Sequence, residues 1–196
     1  FNYCVHMFAF KKKYFLIIES IKDINLRNIK KYNKFIIIYR NQAIKENLND
    51  IIKFRKNCRL RLIKFYVAND LKLGVILNAD GIYLSSYNKT FKTLNLKKLN
   101  FGIIGSAHNA NEIAFKIKQG CNYILLSKLF LVDYKRKSPS LGIVKFNKYL
   151  NDISNKLVPL GGIKSVNLNN LKNINCEAFA LLSEIKKKPA IIRRLF

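Results

Sequence analysis

Short apolar runs alternate along the chain with segments whose apolar residues recur every three or four positions. Each run spans four to six residues, which is the length of a buried strand. Eight runs fit this description: Tyr14–Ile18, Phe35–Tyr39, Leu62–Val67, Asp80–Leu84, Phe101–Gly105, Tyr123–Leu126, Leu157–Leu160 and Ala178–Leu182. Because the runs are continuously apolar, both faces of each predicted strand are covered, as in a parallel sheet.

The segments between the runs favour helix to different degrees. One carries Ile44, Leu48, Ile51 and Ile52 on a single helical face, and another carries Ile113 and Ile117. Asn69 or Asp70 is predicted to cap a third helix. The predicted helical segments are 21–32, 44–52, 70–77, 88–99, 109–120, 142–155 and 168–174.

Eight strand–helix units predict a compact, single-domain α/β fold, the (β/α)8 TIM barrel. A doubly wound sheet would carry a glycine-rich turn after its first strand, whereas Glu19 and Ser20 stand there. We place the barrel at residues 13–196 and expect residues 1–12 to be disordered or extraneous. Met7, the single methionine, is an alternative start residue.

The formal net charge of +26 raises the question of a nucleic-acid or membrane partner. The lysines are scattered along the chain, as A/T-biased coding would produce, so we do not expect nucleic acid to be the main partner. No apolar run approaches the ~20 residues of a membrane helix, so we expect no membrane partner. Four widely spaced cysteines suit reduced thiols in the cytoplasm: Cys4, Cys58, Cys121 and Cys176.

Two predicted strands end in small or hydroxylic residues. Gly161 and Gly162 follow the seventh strand, and Ser183 follows the eighth. Glycine lets the backbone approach a ligand closely, and the N–H groups of a following helical turn attract an anion. The loops after strands seven and eight frequently hold phosphate in such barrels. These residues predict a phosphate site, and a tight turn without a ligand is the alternative.

The second half of the chain resembles the thiamine-phosphate synthase family and its TenI-like relatives, which include thiazole tautomerases. The resemblance rests on ordered motifs between Asp70 and Ser183: Ala79-Asp80-Gly81, Gly105-Ser106-Ala107-His108, Tyr123–Phe130, Gly161-Gly162-Ile163 and Leu182-Ser183. It implies a phosphate-binding barrel and a transferase of thiamine biosynthesis. Such an enzyme condenses hydroxymethylpyrimidine diphosphate with thiazole phosphate, giving thiamine phosphate and pyrophosphate, with Mg²⁺.

The resemblance also implies roles for single residues. The thiazole phosphate would be held by Gly161, Gly162, Leu182 and Ser183. Ser106 falls on a substrate-contacting serine, and Lys135 falls on the lysine that holds the diphosphate. His108 is expected to support the loop after strand five rather than to react.

Two cations are expected to be catalytic. Arg40 ends the second strand where the family has an arginine, and Lys128 stands at a position where some tautomerases have histidine. With Lys135 they would form a cluster of three cations facing the ligand. Lysine near other cations loses its proton readily, so Lys128 is also a candidate proton carrier.

The metal end of the site departs from the family. The positions that supply Mg²⁺ carboxylates in the family are Asn69 and Asn88 here. Mg²⁺ is normally held by carboxylates together with phosphate oxygens. We therefore predict no metal ligands at these two positions, although Mg²⁺ is expected for the family and Asp70 and Asp133 are near in sequence.

Three functions remain open from the sequence. The first is a synthase acting on small phosphorylated substrates, thiazole phosphate and the pyrimidine diphosphate. Whether the chain is an active enzyme is left open by the sequence. The second is a TenI-like isomerase, or a non-catalytic barrel that binds a phosphorylated ligand, with a degenerate metal and diphosphate site. The third is a basic barrel that binds nucleic acid or protein. A homo-oligomer is compatible with each.

Overall fold

A computed structural model shows eight parallel strands that close into a barrel in the order β1 to β8. The structure describes residues 13–29, 33–41, 46–94, 101–132, 139–153, 156–188 and 191–192. The strands are β1 (Lys13–Ile18), β2 (Phe35–Tyr39), β3 (Lys64–Ala68), β4 (Gly81–Leu84), β5 (Gly102–Ala107), β6 (Tyr123–Ser127), β7 (Leu157–Leu160) and β8 (Ala178–Leu181). The predicted (β/α)8 barrel is confirmed. The expectation for residues 1–12 falls outside the described residues.

The strand residues alternate between two apolar layers, which explains their continuous apolar character. One layer fills the inside of the barrel: Phe15, Ile17, Ile36, Ile38, Tyr66, Tyr83, Ile104, Leu125, Val158, Leu160, Ala178 and Ala180. The intervening residues, such as Leu16 and Ile37, belong to a larger cluster that packs the sheet against the surrounding helices. Because successive side chains of a strand point to opposite faces, both sets must be apolar.

Helices follow several strands in the described parts of the chain. They are α1 (Leu48–Leu60), α2 (Leu71–Ile76), α3 (Ala110–Lys118), α4 (Gly142–Ile153) and α5 (Ser183–Lys187). None of these helices has the length and apolar character needed to cross a membrane. Asp70, rather than Asn69, caps α2, because its Oδ1 accepts a hydrogen bond from the N–H of Leu73 at 2.9 Å.

Two predicted helical segments are 3₁₀ turns instead. After β1 the chain forms Ile21–Asp23 and Leu26–Asn28, and after β7 it forms Leu168–Asn173. Ser20 and Asn25 each accept a hydrogen bond from an N–H two residues ahead. Such local bonds compete with a continuous α-helix.

The helical predictions around β2, β4 and β5 also need correction. Asn47 caps α1, so this helix starts later than the predicted 44–52 segment and runs to Leu60. Residues 88–93 form no helix, Leu94 is in 3₁₀ conformation, and 95–100 lie outside the described residues. On α3, Ile117 is 39% exposed, whereas Lys116 is fully buried. Ile113 and Ile117 share one face of α3 as predicted, but only Ile113 is fully buried.

Two glycines make room for Tyr66 near the N-terminal end of the barrel. A Cβ atom on Gly81 would lie 2.1 Å from the carbonyl oxygen of Gly102, and one on Gly102 would lie 2.3 Å from the Tyr66 hydroxyl. Burial raises the pKa of Tyr66 to about 12. The Tyr66 ring therefore packs against two strand positions that carry no side chain.

We expect Gly81→Ala to lower the free energy of unfolding by about 3 kcal/mol, because the new methyl group meets backbone rather than a movable side chain. Gly74→Ala is the matched control. Gly74 lies within α2, and its added methyl would meet Phe101 at an ordinary 3.5 Å. Because alanine favours helix over glycine, this variant should gain about 0.5–1 kcal/mol. Urea unfolding of both variants tests this, and equal effects would contradict the packing described.

Candidate active site

A cavity of about 180 Å³ opens at the C-terminal ends of the strands, the end at which such barrels carry their active sites. Its lining residues are Arg40, Tyr83, Ser85, Ser86, Tyr87, Ser106, His108, Ser127, Lys128, Val132, Leu160, Gly161, Gly162, Ile163, Ala180, Leu182 and Ser183. All the site residues assigned from the sequence are among them, apart from Lys135, which lies outside the described residues. Their roles remain predictions.

Arg40 continues the inward-facing positions of β2 beyond Ile36 and Ile38. Its Nη2 atom lies 3.2 Å from Oε1 of Glu19, at the end of β1. The buried Nε atom has no hydrogen-bond partner among the described residues. Lys186 also donates a hydrogen bond to Glu19, and together with Arg40 it lowers the pKa of that carboxyl. Arg40 is therefore anchored by one edge of its guanidinium.

Ser106 and Tyr83 form the polar floor of the cavity. Both occupy inward positions, on β5 and β4 respectively, and both are buried. Burial raises the pKa of Tyr83, and the hydrogen bond with Ser106 acts in the opposite direction. At neutral pH the floor therefore offers neutral hydroxyl groups, which can donate to or accept from a ligand.

Gly161 and Gly162 adopt positive φ angles of 91° and 70°. A Cβ atom on Gly162 would lie 2.5 Å from the carbonyl oxygen of Phe130, and one on Gly161 would lie 2.9 Å from Cβ of Lys128. Phe130 also donates a backbone hydrogen bond to Gly161 at 3.0 Å. The sequence interpretation stressed close approach to a ligand. The structure shows close approach to the chain's own residues 128–131 after β6, which we call the β6 loop.

Ser183 begins α5, directly after Leu182. Glu184 follows, and a carboxylate beside a phosphate would repel it. The Glu184 side chain is buried instead, and its Oε1 accepts hydrogen bonds from the N–H and the hydroxyl of Ser165, each at 3.2 Å. The Glu184 carboxylate therefore binds the loop that follows β7.

His108 lines the rim of the cavity and is largely exposed. Its Nδ1 lies 3.0 Å from Oε2 of Glu112, and the same oxygen accepts the His108 backbone N–H at 2.9 Å. Asn109 caps α3 by accepting a hydrogen bond from the N–H of Glu112. These contacts connect His108 to the start of α3, which is compatible with the supporting role predicted for it.

Lys128 directly follows β6 and is half-buried at the cavity wall. Its carbonyl oxygen accepts a hydrogen bond from Leu141 at 2.9 Å, and the adjacent Leu129 donates to Leu160 at 2.8 Å. The backbone around Lys128 is therefore held on both sides. Of the predicted cluster of Arg40, Lys128 and Lys135, the structure describes Arg40 and Lys128. Both line the same cavity.

The two asparagines at the family's metal positions bind each other. Nδ2 of Asn88 donates a hydrogen bond to Oδ1 of Asn69 at 3.0 Å. The same oxygen accepts from the N–H and the hydroxyl of Ser85, at 3.0 and 3.1 Å. Nδ2 of Asn69 donates to the Tyr87 hydroxyl at 3.3 Å. Oδ1 of Asn69, the oxygen that a metal ion would need, is therefore occupied by three hydrogen-bond donors.

Mg²⁺ does not fit this arrangement of residues. An Mg²⁺ site needs oxygen ligands with negative charge, whereas the amide pair directs an N–H donor at its central oxygen. Asp70 caps α2, and Asp133 lies outside the described residues. Within the described ranges, no group of three or more His, Cys, Asp or Glu side chains is placed to hold a metal ion.

Sequence reasoning missed several lining residues. Tyr83 and Ser127 continue the inward-facing alternation of their strands, and this period of two is the signal that identifies them. Ser85, Ser86 and Tyr87 follow β4 and contribute to the wall. A larger cavity of about 800 Å³ lies at the opposite end of the barrel and includes Lys13, Lys64 and Lys156. None of the residues predicted for the site contributes to it.

Comparisons with known proteins identify the family of this chain. The sequence matches the model of the family described as thiamine monophosphate synthase over residues 24–185. A thiamine-phosphate synthase of Prochlorococcus marinus (strain AS9601) is 32% identical over 176 residues, which are 86% of this chain and 48% of that protein. One of Dictyoglomus turgidum is 26% identical over 164 residues, covering 81% and 73%. The chain spans about half the length of the Prochlorococcus marinus protein.

Solved structures share the fold. A thiamine phosphate pyrophosphorylase from Pyrococcus furiosus aligns with a TM-score of 0.70 and 16% identity, covering 96% of this chain and 98% of that chain. A 3-hexulose-6-phosphate synthase aligns with a TM-score of 0.65 and 11% identity, covering 94% and 99%. At these identities the likeness concerns the barrel itself.

The amide pair generates a test by charge substitution. Asn88→Asp would direct a carboxylate oxygen at Oδ1 of Asn69, so we expect the free energy of unfolding to fall by about 1–2 kcal/mol in metal-free urea unfolding. Asn69→Asp is the matched control, because an acceptor oxygen stays in place, and its effect should stay within about 0.5 kcal/mol.

The double variant Asn69→Asp/Asn88→Asp extends this test to the metal. It places two carboxylates together, so it should be the least stable of the three variants and should recover stability when Mg²⁺ is added. Equal stabilisation of the unmodified protein by Mg²⁺ would show that the amide pair does not exclude the ion.

Proposed function

The chain belongs to the thiamine monophosphate synthase family, and on this basis we propose that it is a synthase of thiamine biosynthesis. It would join thiazole phosphate to hydroxymethylpyrimidine diphosphate. The bond between the pyrimidine methylene carbon and the diphosphate oxygen breaks, and pyrophosphate leaves with the electron pair. The thiazole nitrogen then donates its lone pair to that carbon. No proton is gained or lost at the reacting atoms.

One observation carries this proposal: the family match and the cavity coincide. The matched range, residues 24–185, contains every residue that lines the cavity at the C-terminal ends of the strands. The larger cavity at the other end contains Lys13, which precedes that range. The shared sequence thus includes the complete described wall of one cavity, at the end where barrels of this fold do chemistry.

The phosphate of the thiazole substrate is assigned to the loops after β7 and β8. Gly161, Gly162, Leu182 and Ser183 line the cavity there. Because Glu184 is directed to Ser165, no carboxylate of this pair of loops faces the proposed phosphate. Ser106 on the floor would contact the ring of the substrate through its hydroxyl group.

The diphosphate is assigned to the cations that line the cavity, Arg40 after β2 and Lys128 after β6. Arg40 is anchored to Glu19 through Nη2, which leaves the rest of its guanidinium for the ligand. Lys128 lies in the same cavity, and Lys135 completes the assignment by resemblance. Positive groups fixed before the reaction stabilise the negative charge that develops on the leaving pyrophosphate. In the family Mg²⁺ supplies part of this charge, and in this chain no step is assigned to it.

A second candidate is a TenI-like isomerase or a barrel that binds a phosphorylated ligand without diphosphate chemistry. The Asn69–Asn88 hydrogen bond favours it, since two amides replace the acidic metal ligands. In this alternative, Lys128 would carry a proton. We place either activity in the cytoplasm, because the described cysteines Cys58, Cys121 and Cys176 are buried thiols.

Incubation of the purified protein with both substrates tests the proposal. We expect thiamine phosphate and pyrophosphate to form, and to form also in EDTA, because the protein's own cations supply the positive charge that Mg²⁺ provides in the family. Arg40→Met should reduce turnover by about a hundredfold. Lys118→Met, an exposed change on α3, should have no effect. Product formation is measured by chromatography and binding of thiazole phosphate by calorimetry.

Each result has a distinct meaning. Binding of thiazole phosphate without product would favour the second candidate, and absence of both would contradict the proposed function. Activity that requires Mg²⁺ would contradict the metal-independent form of the proposal, because the ion would then find ligands despite the amide pair.

Lys128 has its own diagnostic substitutions. If it stabilises the leaving pyrophosphate, Lys128→Arg should keep most activity, whereas Lys128→Met should lose about a hundredfold in turnover. If it carries a proton, both substitutions should abolish turnover while thiazole phosphate still binds, because arginine stays protonated. Steady-state rates and calorimetry distinguish the two. Unchanged rates in Lys128→Met would remove Lys128 from either mechanism.

A further inference from the structure

Lys116 is a buried charge that the proposed reaction does not use. Its side chain, on α3, is fully buried. Its Nζ lies 2.7 Å from the carbonyl oxygen of Ser85, 2.9 Å from that of Asn88 and 2.8 Å from Oε1 of Gln119. Three acceptors match the three N–H donors of an ammonium group. Burial lowers the pKa of Lys116 to about 8, so the group remains mainly charged at neutral pH.

The contacts of Lys116 converge on the loop that follows β4, which we call the β4 loop and define as Ser85–Asn88. Gln119 supports the same segment, because its Nε2 donates to the carbonyl oxygens of Asn88 at 3.1 Å and Thr90 at 2.6 Å. On its other side the β4 loop forms a wall of the active-site cavity through Ser85, Ser86 and Tyr87. The ammonium thus lies behind the cavity wall.

The path of the Lys116 side chain depends on a glycine in β5. A Cβ atom on Gly105 would lie 2.8 Å from Cδ of Lys116 and 2.8 Å from Sγ of Cys121. With glycine at this position, the lysine stem passes between α3 and the sheet to reach the β4 loop. Gly105 and Lys116 are therefore sterically matched.

A lysine at this position is costly compared with a methionine of similar length. Desolvation of an ammonium group is unfavourable, and its hydrogen bonds only partly offset that cost. Apolar packing would stabilise the interface between α3 and the sheet equally well. Only the ammonium group can donate hydrogen bonds to two loop carbonyls and to Gln119 at the same time.

We propose that Lys116 is a positioning residue, whose ammonium fixes the β4 loop and so sets the wall that the substrate contacts. Its hydrogen bonds hold Asn88 where the Asn88 amide meets Asn69, and Asn69 in turn holds Ser85. The loop is therefore fixed from both sides, by an internal cation and by the amide pair. The substrate part of this inference rests on the proposed function, and the ordering of the loop does not.

Hydrogen–deuterium exchange of the ligand-free protein tests the ordering. Lys116→Met keeps the stem volume and removes the ammonium, so amides within 85–90 should exchange about tenfold faster or more, whereas those of β5 keep their protection. Ile113→Ala, a core truncation on the same helix, is the control for general destabilisation. Lys118→Met controls for the loss of a lysine charge. The proposal fails if Lys116→Met and Ile113→Ala change exchange in 85–90 to the same extent.

Binding of thiazole phosphate tests the consequence for the site. Lys116→Met should weaken its affinity by about tenfold, and Ile113→Ala should leave it unchanged at a temperature where both are folded. Unaltered affinity in Lys116→Met would overturn the claim that the loop sets the substrate wall. If the unmodified protein binds no thiazole phosphate, the proposed function fails, while the exchange experiment still decides the role of Lys116.

A measurement on the unmodified protein covers the case in which Lys116→Met does not fold. With ¹⁵N-labelled lysine, the Nζ group of Lys116 should give a nuclear magnetic resonance signal protected from exchange with water. Exposed lysines such as Lys118 should give none. Absence of any protected lysine signal would show that the three hydrogen bonds do not hold, and the proposal would be wrong.

Discussion

Closure of the parallel sheet is the constraint on which the rest of this structure depends. A closed sheet has no free strand edge, and it is covered outside by helices and filled inside by its own side chains. Polar side chains are thereby confined to the ends of the strands. Arg40, Ser106 and Ser127 each occupy the inward position that follows an apolar one, namely Ile38, Ile104 and Leu125. The site is thus the polar end of an apolar core.

The same constraint explains what the sequence could and could not predict. Strands buried on both faces leave continuous apolar runs, so all eight were recognised, and β2 and β7 have the bounds expected. Helices were less certain, because Ser20, Asn25 and Asn47 form local hydrogen bonds that change where a helix begins. The helical spacing of Ile113 and Ile117 gave no sign that Lys116 is the fully buried neighbour of Ile117. The acceptors that satisfy Lys116 come from a loop that is distant in sequence.

The sequence predicted where the site residues lie in the barrel, but not which side chains bind one another. Strand ends identify which side chains share a cavity, and the resemblance supplied expected roles. The Asn69–Asn88 hydrogen bond joins residues from two different loops, so no local pattern reveals it. Likewise, the orientation of Glu184 depends on Ser165, across the loop after β7. Charge at the site depends on such partners: Glu19 pairs with Arg40 and Lys186, Glu112 with His108, and Glu184 accepts from Ser165.

The contact between the glycine pair and the β6 loop has a consequence for how tightly a ligand can be held. Gly161 and Gly162 lie against the backbone of residues 128–131, and backbone hydrogen bonds connect the two segments. The two loops therefore behave as one preorganised body. A ligand that contacts both loses little affinity to the entropy of bringing them together, since folding has already supplied that ordering. Part of the ordering that a ligand needs at this end of the barrel is in this sense supplied by folding.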